Sequence, residues 1–328
     1  MLKYIVKRLL WMIPTILGIL LIIFTINDLM PGDPALNSLG ANYTEELYQQ
    51  RREEMGLNRP FVVRYVEYVV DLATRLDFGE SYSTLRPVKN MIAERLGVTL
   101  LLGIYGSLIT IVLGVIIGIL SAVRQYSILD YVTTILATFF AAMPNFWLAL
   151  MGVIIFSQNL QLLPASGLST WKHWIMPVIC IGIGPIALVV RMTRTSMLDV
   201  VRQDYITTAR AKGQKESVVI RRHALRNALI PVITTVGAQL GILVSGSVVV
   251  ETIFGMPGLG SLMMTAINNK DFPIIEGCVL ILAALICIIN LVTDLIYGFV
   301  DPRIMAQYTA GKKKKRGPAG EKEGAVHA

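Results

Sequence analysis

The stretch DYITTARAKG at Asp204–Gly213, followed by RRHALRNALIP at Arg221–Pro231, is polar, basic and trapped between two apolar runs of membrane length. One run ends near Val190 and the next begins near Leu229. Between them lie Arg191, Arg194, Arg202, Arg210, Lys212, Lys215, Arg221, Arg222 and Arg226, against Asp199, Asp204 and Glu216. Lys and Arg beside a membrane segment resist translocation, so this loop is expected in the cytoplasm. Its Ala- and Arg/Lys-rich composition predicts a short helix, closed by Gly213, because glycine commonly ends a helix. A short helix at the cytoplasmic face of a polytopic protein is a natural place for a soluble partner to push.

Working outward, the rest of the chain is made for lipid. Of 328 residues, 54% are hydrophobic and 16% charged, where a soluble domain carries about 25% charged residues. The apolar residues gather into six runs: Leu9–Leu29, Val98–Ala122, Val132–Phe156, Ile175–Arg194, Leu229–Val250 and Gly277–Val300. Each is near the ~20 residues that a helix needs to cross the hydrocarbon. Helices are required there because lipid offers backbone groups no water to bond. The fold class expected is therefore an all-α polytopic membrane protein of six transmembrane helices.

Lys3, Lys7 and Arg8 precede the first run as in a signal peptide, but the run is long and meets PGDP at Pro31–Pro34 instead of a small-residue cleavage site. An uncleaved first helix with residues 1–8 in the cytoplasm is expected. Alternation then puts residues 30–97 outside, with the loop 191–228 and the C-terminus inside. The outside segment holds two amphipathic stretches, EELYQQRREEMG and RYVEYVVDLATRL, separated by Gly56 and Pro60. It is expected to cap the membrane region (9–304) rather than fold alone. Trp171 and Trp174 in the second outside loop are placed as interface anchors. A third outside stretch, Glu251–Glu276, carries Gly255, Pro257, Gly258 and Gly260, which predict a tight or re-entrant turn, and Phe254, Leu259, Leu262 and Met263, which predict packing on protein. The tail 305–328 is low in complexity and reads as disordered, its Lys312–Arg316 cluster suited to anionic lipid or simply to solvent.

Several chemistries are excluded by what the sequence lacks. There is no GxxxxGK[ST] phosphate loop and no HExxH, CxxC or GxSxG. Cys180, Cys278 and Cys287 sit inside apolar runs as small hydrophobes, and the three histidines are scattered, so neither a disulfide set nor a metal site is expected. Asp294, the clearest charge in a span, lies at the cytoplasmic end of the last one, where pairing with a basic residue explains it. Polar residues in the spans, among them Ser107, Thr110, Thr133, Thr138, Asn145, Thr234, Thr235, Gln239, Ser245 and Ser247, either pack or line a wet passage. Pro14, Pro144, Pro177, Pro185 and Pro231 kink or start helices, and Gly114 with Gly118 forms a GxxxG step. An enzyme would need a pair such as His223 with Asp204. An ion-driven transporter would need intramembrane acids at mid-depth.

The loop resembles the conserved cytoplasmic loop of ABC-importer permeases, whose pattern is Glu-Ala-Ala, three residues, Gly. The matching positions are Thr207, Thr208, Ala209 and Gly213, with Thr207 where the pattern has Glu. Thr208, Ala209, Ala211, Lys212 and Gly213 also fit the Arg-Thr-Ala-x-Ala-Lys-Gly form of the peptide/nickel subgroup. YIVKRLLWMIPTILG (4–18), PGDPA (31–35), MGLNRPFVVRY (55–65), GSVVVETIFGMPGLG (246–260) and DLIYGFVDPRI (294–304) resemble the B-type permease of that subgroup. The resemblance implies the type I permease fold in a bacterial or archaeal cytoplasmic membrane. It implies a second, C-type permease, two cytoplasmic ATPase subunits carrying ATP and Mg, and an extracytoplasmic substrate-binding protein. No cofactor on this chain, no catalytic residue and no nucleic-acid partner is expected. It assigns ATPase coupling to Thr207, Thr208, Ala209, Arg210, Ala211, Lys212 and Gly213. It assigns an outer gate or binding-protein contact to Glu251, Phe254, Gly255, Pro257, Gly258 and Gly260. Di- and oligopeptides fit the subgroup best, with nickel or another small solute as the alternative.

Overall fold

The computed structural model describes residues 2–39 and 43–300, without the side chains of residues 2–4, 244–245 and 297–300. The tail 305–328, with Lys312–Arg316, and the side chain of Ser245 lie outside the described residues. The chain runs as α1 (Leu2–Leu29), α2 (Pro34–Leu39), α3 (Glu45–Glu54), α4 (Phe61–Arg75), α5 (Val88–Val123), α6 (Ile128–Ala142) and α7 (Asn145–Gly152). It continues as α8 (Lys172–Val201), α9 (Asp204–Ala211), the single turn α10 (Glu216–Val218), α11 (Leu225–Ile253), α12 (Leu259–Asn269) and α13 (Phe272–Val300). No strand occurs among the described residues, only an isolated bridge between Glu80 and Pro87.

Among the described residues, five helical segments are long and apolar enough to cross a membrane: Ile5–Leu29, Val88–Val123, Lys172–Val201, Glu216–Leu243 and Phe272–Ile296. The sixth run, expected as one helix over 132–156, is broken. α6 and the segment Asn145–Asn159 meet at 103°. Pro144 is the cause. It lacks an N–H and pushes the preceding residue out of helical conformation, and Met143 sits at φ −83°, ψ 133°. The second span is longer than its apolar run, because α5 starts at Val88, ten residues before Val98. At 1.5 Å per residue it is about 54 Å long, well beyond the hydrocarbon thickness.

α5 and α8 are the spine. Gly114 and Gly118 on α5 face α8 so closely that an added Cβ would stand 2.6 Å from Val189 Cγ1 and 2.5 Å from Thr193 Cβ. The GxxxG step is a genuine helix contact here. The surfaces facing away are apolar: Ile22, Ile104, Leu108, Ile135 and Ile288 are exposed, as expected of lipid-facing positions. Hydroxyls in the spans mostly bond to their own helix four residues back, as in Ser107 to Gly103, Thr133 to Leu129, Thr138 to Thr134 and Thr235 to Pro231. Thr110 reaches across to the Gly182 carbonyl at 3.4 Å.

Helices α2–α4 form the cap between α1 and α5. α4 lays Tyr65, Tyr68, Val69 and Leu72 on a core that includes Leu20, Phe78, Ile92, Leu259 and Phe272. Asp271, 1% exposed, accepts from Ser81 Oγ at 2.6 Å and from the Tyr82 and Ser83 amides at 3.1 and 3.0 Å. That carboxylate fastens the α4–α5 connection to the α12–α13 corner. Trp174 packs edge-on against Tyr105 at 5.4 Å between centroids, whereas Trp171 is exposed.

Candidate functional site

The basic loop is a small folded unit. α8 ends at Val201, and Gln203, in extended conformation, starts α9. Asp204 in the first turn of α9 suits the positive end of the helix. Ile206 and Ala209, three apart and so on one face, are buried with Met197, Val219, Ala224 and Ala228. Thr207, Thr208, Arg210, Ala211 and Lys212 face out. Gly213 follows with φ +74° and open space around a hypothetical Cβ. It is required by backbone conformation, not by crowding.

The return path is tied down as well. Arg210 donates to Glu216 from Nε at 3.1 Å and Nη2 at 2.7 Å. His223 Nε2 lies 2.8 Å from Gln214 Oε1. Asn227 donates to the Tyr205 hydroxyl at 2.9 Å, and Ser196 donates to the Ala228 carbonyl at 2.7 Å. The segment 219–224 winds in wider turns than an α-helix and runs directly into α11. α9 is therefore fastened to both α8 and α11.

Ala209 is 7% exposed and packs on its own chain in the core of the loop. Arg210 is held by Glu216 within the loop. Ala211, exposed, is the small residue on the outer face. The pairing an enzyme would need is not formed: His223 contacts Gln214, and no ion pair joins it to Asp204 among the described residues.

The stretch after α11 is a second constellation. Glu251, fully buried, accepts from Thr99 Oγ1 at 2.8 Å, from the Gly260 amide at 2.7 Å and from the Ser261 amide at 3.3 Å. Thr99 Oγ1 in turn accepts from the Leu259 amide at 2.8 Å. The first amides of α12, which have no partner within their own helix, are thus met by a carboxylate and a hydroxyl, with negative charge at the positive helix end. A Cβ at Gly258 would overlap the Glu251 carboxylate, and one at Gly260 would overlap Val248 Cα. Gly255 sits at φ +57°, and the Phe254 carbonyl accepts from the Gly167 amide at 3.1 Å. The candidate gate residues come together as one turn, yet Glu251, Phe254, Gly258 and Gly260 point inward and only Gly255 and Pro257 are exposed. Gly260 lies inside a regular helix instead of preventing one.

Three further polar groups were not singled out by sequence. Asp130 accepts two hydrogen bonds from Arg194 and one from Ser121. Glu276 is bonded by Asn27, and Asp271 anchors the cap. Asp130 and Glu276 stand at the very edges of apolar runs, Asp271 a few residues before one, and that position was their signal. Asp294 behaves as the bland reading expects, with Arg8 Nη2 2.5 Å from its Oδ2.

Comparison with known proteins bears on both regions. Residues 114–306 match the family described as binding-protein-dependent transport system inner membrane component. Residues 1–103 match the N-terminal part of the same membrane component. The dipeptide transport system permease protein DppB of Alkalihalophilus pseudofirmus is 42% identical over 93% of this chain and 99% of its own length. The glutathione transport system permease protein GsiC of Pectobacterium atrosepticum is 38% identical over 93% and 99%. Among solved structures, the inward-facing methionine ABC transporter MetNI aligns with a TM-score of 0.55 at 19% identity, over 64% of this chain and 96% of that one. At that identity the likeness is one of fold.

Proposed function

Since the chain belongs to the family of binding-protein-dependent transport system inner membrane components, we propose that it is the peptide-conducting permease subunit of an ABC importer, working beside a second, non-identical permease. The observation that carries this reading is similarity along nearly the whole chain to a dipeptide permease. The loop geometry supports it physically. A chain with no phosphate loop of its own takes ATP energy through contact, and α9 offers Thr207, Thr208, Ala211 and Lys212 on a face fixed to both α8 and α11.

In this reading two cytoplasmic ATPase subunits hold ATP and Mg and seat α9 in a surface cleft. Their closure on ATP moves α9 as a rigid body and tilts α8 and α11. Both termini and the loop 191–228 lie in the cytoplasm, and α2–α4 lie outside, where a substrate-binding protein delivers the peptide. The Glu251-locked turn keeps α11, α12 and α5 in one arrangement at the outer end of the pathway.

Uptake of radiolabelled dialanine into proteoliposomes containing the complete assembly tests the reading, with glutathione and nickel as competing substrates. ATP-dependent dialanine uptake supports it. Accumulation driven by an ion gradient without ATP, or of nickel alone, overturns it.

A further inference from the structure

A cleft of about 700 Å³ opens between the end of α1, the cap helices α3 and α4, and the start of α13. Its volume is that of a small-molecule site. At its floor Asn27 and Glu276, 3% and 6% exposed, are joined by an Asn27 Nδ2 to Glu276 Oε1 hydrogen bond of 2.9 Å. Asn27 Oδ1 is buried without a hydrogen-bond partner, and so are Tyr68 Oη and Arg64 Nε. Buried polar groups are normally hydrogen-bonded, so these atoms are available to a partner that is not the chain itself.

The chemistry of the lining narrows what that is. The three wall arginines are already matched: Arg51 with Glu54, Arg59 with Glu67 and Arg64 with Asp28. Glu53 and Glu80 have no cation within ion-pair distance among the described residues, so the rim of the cleft carries surplus negative charge. No group of acids or histidines among the described residues is close enough to hold a metal ion. The rim charge thus suits an organic cation better than a bare metal ion. The walls are aromatic: Phe24 and Tyr68 lie 5.3 Å apart between centroids, Tyr82 and Phe272 6.3 Å. Aromatic faces beside carboxylates are the usual surroundings of an ammonium group. The floor offers acceptor oxygens on Asn27 and Glu276 for an N–H donor. Arg64 also lines the cleft, and its Nε–H is unused and asks for an oxygen.

We propose that this cleft binds an ammonium group with a neighbouring carbonyl or carboxylate oxygen, the chemistry of an amino acid or of a peptide N-terminus. That the ligand is a transported peptide rests on the function proposed above; the ammonium site itself does not.

The test is equilibrium dialysis of the purified permease complex in nanodiscs, without ATP or binding protein, against dialanine, alanine, N-acetyl-dialanine and tetramethylammonium. Saturable binding of dialanine or alanine, absent for N-acetyl-dialanine, is expected. Glu276→Gln should weaken it at least about tenfold, the effect of losing one charge-assisted hydrogen bond. The rim variant Glu53→Gln/Glu80→Gln, which leaves the floor intact, should weaken it about threefold at low salt and less at high salt. Preference for dialanine over alanine assigns the site to peptide, equal binding to amino acids. Tetramethylammonium binding alone shows an aromatic cation site without the oxygen contact and overturns the proposal. So does the absence of saturable binding, equal binding of N-acetyl-dialanine, or undiminished binding in both variants. Dialanine uptake without cleft binding refutes the cleft alone. Cleft binding without uptake refutes the peptide-import reading alone.

Discussion

Arg194 grips Asp130 with two hydrogen bonds, Nε to Oδ1 at 2.6 Å and Nη2 to Oδ2 at 2.8 Å, and so joins the first turn of α6 to α8 about two turns before α8 ends. Asp130 also accepts from Ser121 Oγ at 2.5 Å and from the Tyr126 amide at 3.0 Å. One carboxylate thus holds the end of α5, the α5–α6 turn and α8 together. If α9 drives α8, as proposed, this pair is expected to carry the movement to α6.

Removing one partner leaves the other charge without its match. The Asp130 side chain is 3% exposed and that of Arg194 25%, so the pair is only partly screened. Asp130→Ala should cost about 2–3 kcal/mol, read as a lower melting temperature of the detergent-solubilised complex. Asp130→Asn, which keeps the shape and some hydrogen bonds, should cost less. It should still reduce substrate-stimulated ATP hydrolysis more than basal hydrolysis. Equal loss of both rates would mean that the pair stabilises the fold without sharing motion.

The outer turn is testable by a double-mutant cycle. Glu251→Ala strips partners from the Thr99 hydroxyl and the Gly260 and Ser261 amides, at an expected cost of about 3 kcal/mol. Gly258→Ala alone drives a methyl into the Glu251 carboxylate, about 1–3 kcal/mol of overpacking. In the Glu251→Ala background that overlap is gone, so Gly258→Ala should be nearly neutral there. Additive costs measured by thermal melts would show that the two residues do not meet.

Orientation can be read by labelling. Glu54, on the surface of α3, and Lys215, after α9, are both exposed. The native Cys180 and Cys278 are buried and give little background. In intact cells an impermeant maleimide should label Glu54→Cys at once and Lys215→Cys only after permeabilisation. The reverse pattern would invert the topology proposed here.

Much of this architecture is legible in the sequence because lipid imposes one strong rule: twenty apolar residues in a row make a span. The α9 helix and its Gly213 stop are legible for a local reason, since helix closure by a left-handed glycine needs no distant partner. What escapes is long-range. Nothing local reveals that Asp130 meets Arg194, 64 residues away, or Asn27 meets Glu276, 249 residues away. Pro144 is visible as a kink, but nothing local gives the size of its bend, 103°. Ala209 shows the limit of motif reading. Its identity fits the coupling pattern, while its direction is decided by Val219 and Ala224 on the returning chain.

That direction sharpens the decisive experiment on the basic loop. Ala209→Asp would bury a charge inside the loop's own core and unfold it, which says nothing about a partner. Ala211→Asp places the same charge on the exposed face and leaves the packing of Ile206 and Ala209 intact. It should insert and melt like the parent, within about 0.5 kcal/mol, yet lose the ATPase subunits on purification or lose stimulated hydrolysis and uptake together. Gly213 provides the matching backbone test. At φ +74° with open space around it, Gly213→Asn should transport nearly as well as the parent, since Asn tolerates this conformation. Gly213→Val is strained by roughly 1–2 kcal/mol and should uncouple. A merely topogenic basic loop predicts no effect from any of the three, because every positive charge stays in place. Wild-type uptake by Ala211→Asp and Gly213→Val in ATP-loaded proteoliposomes would therefore remove α9 from the coupling mechanism.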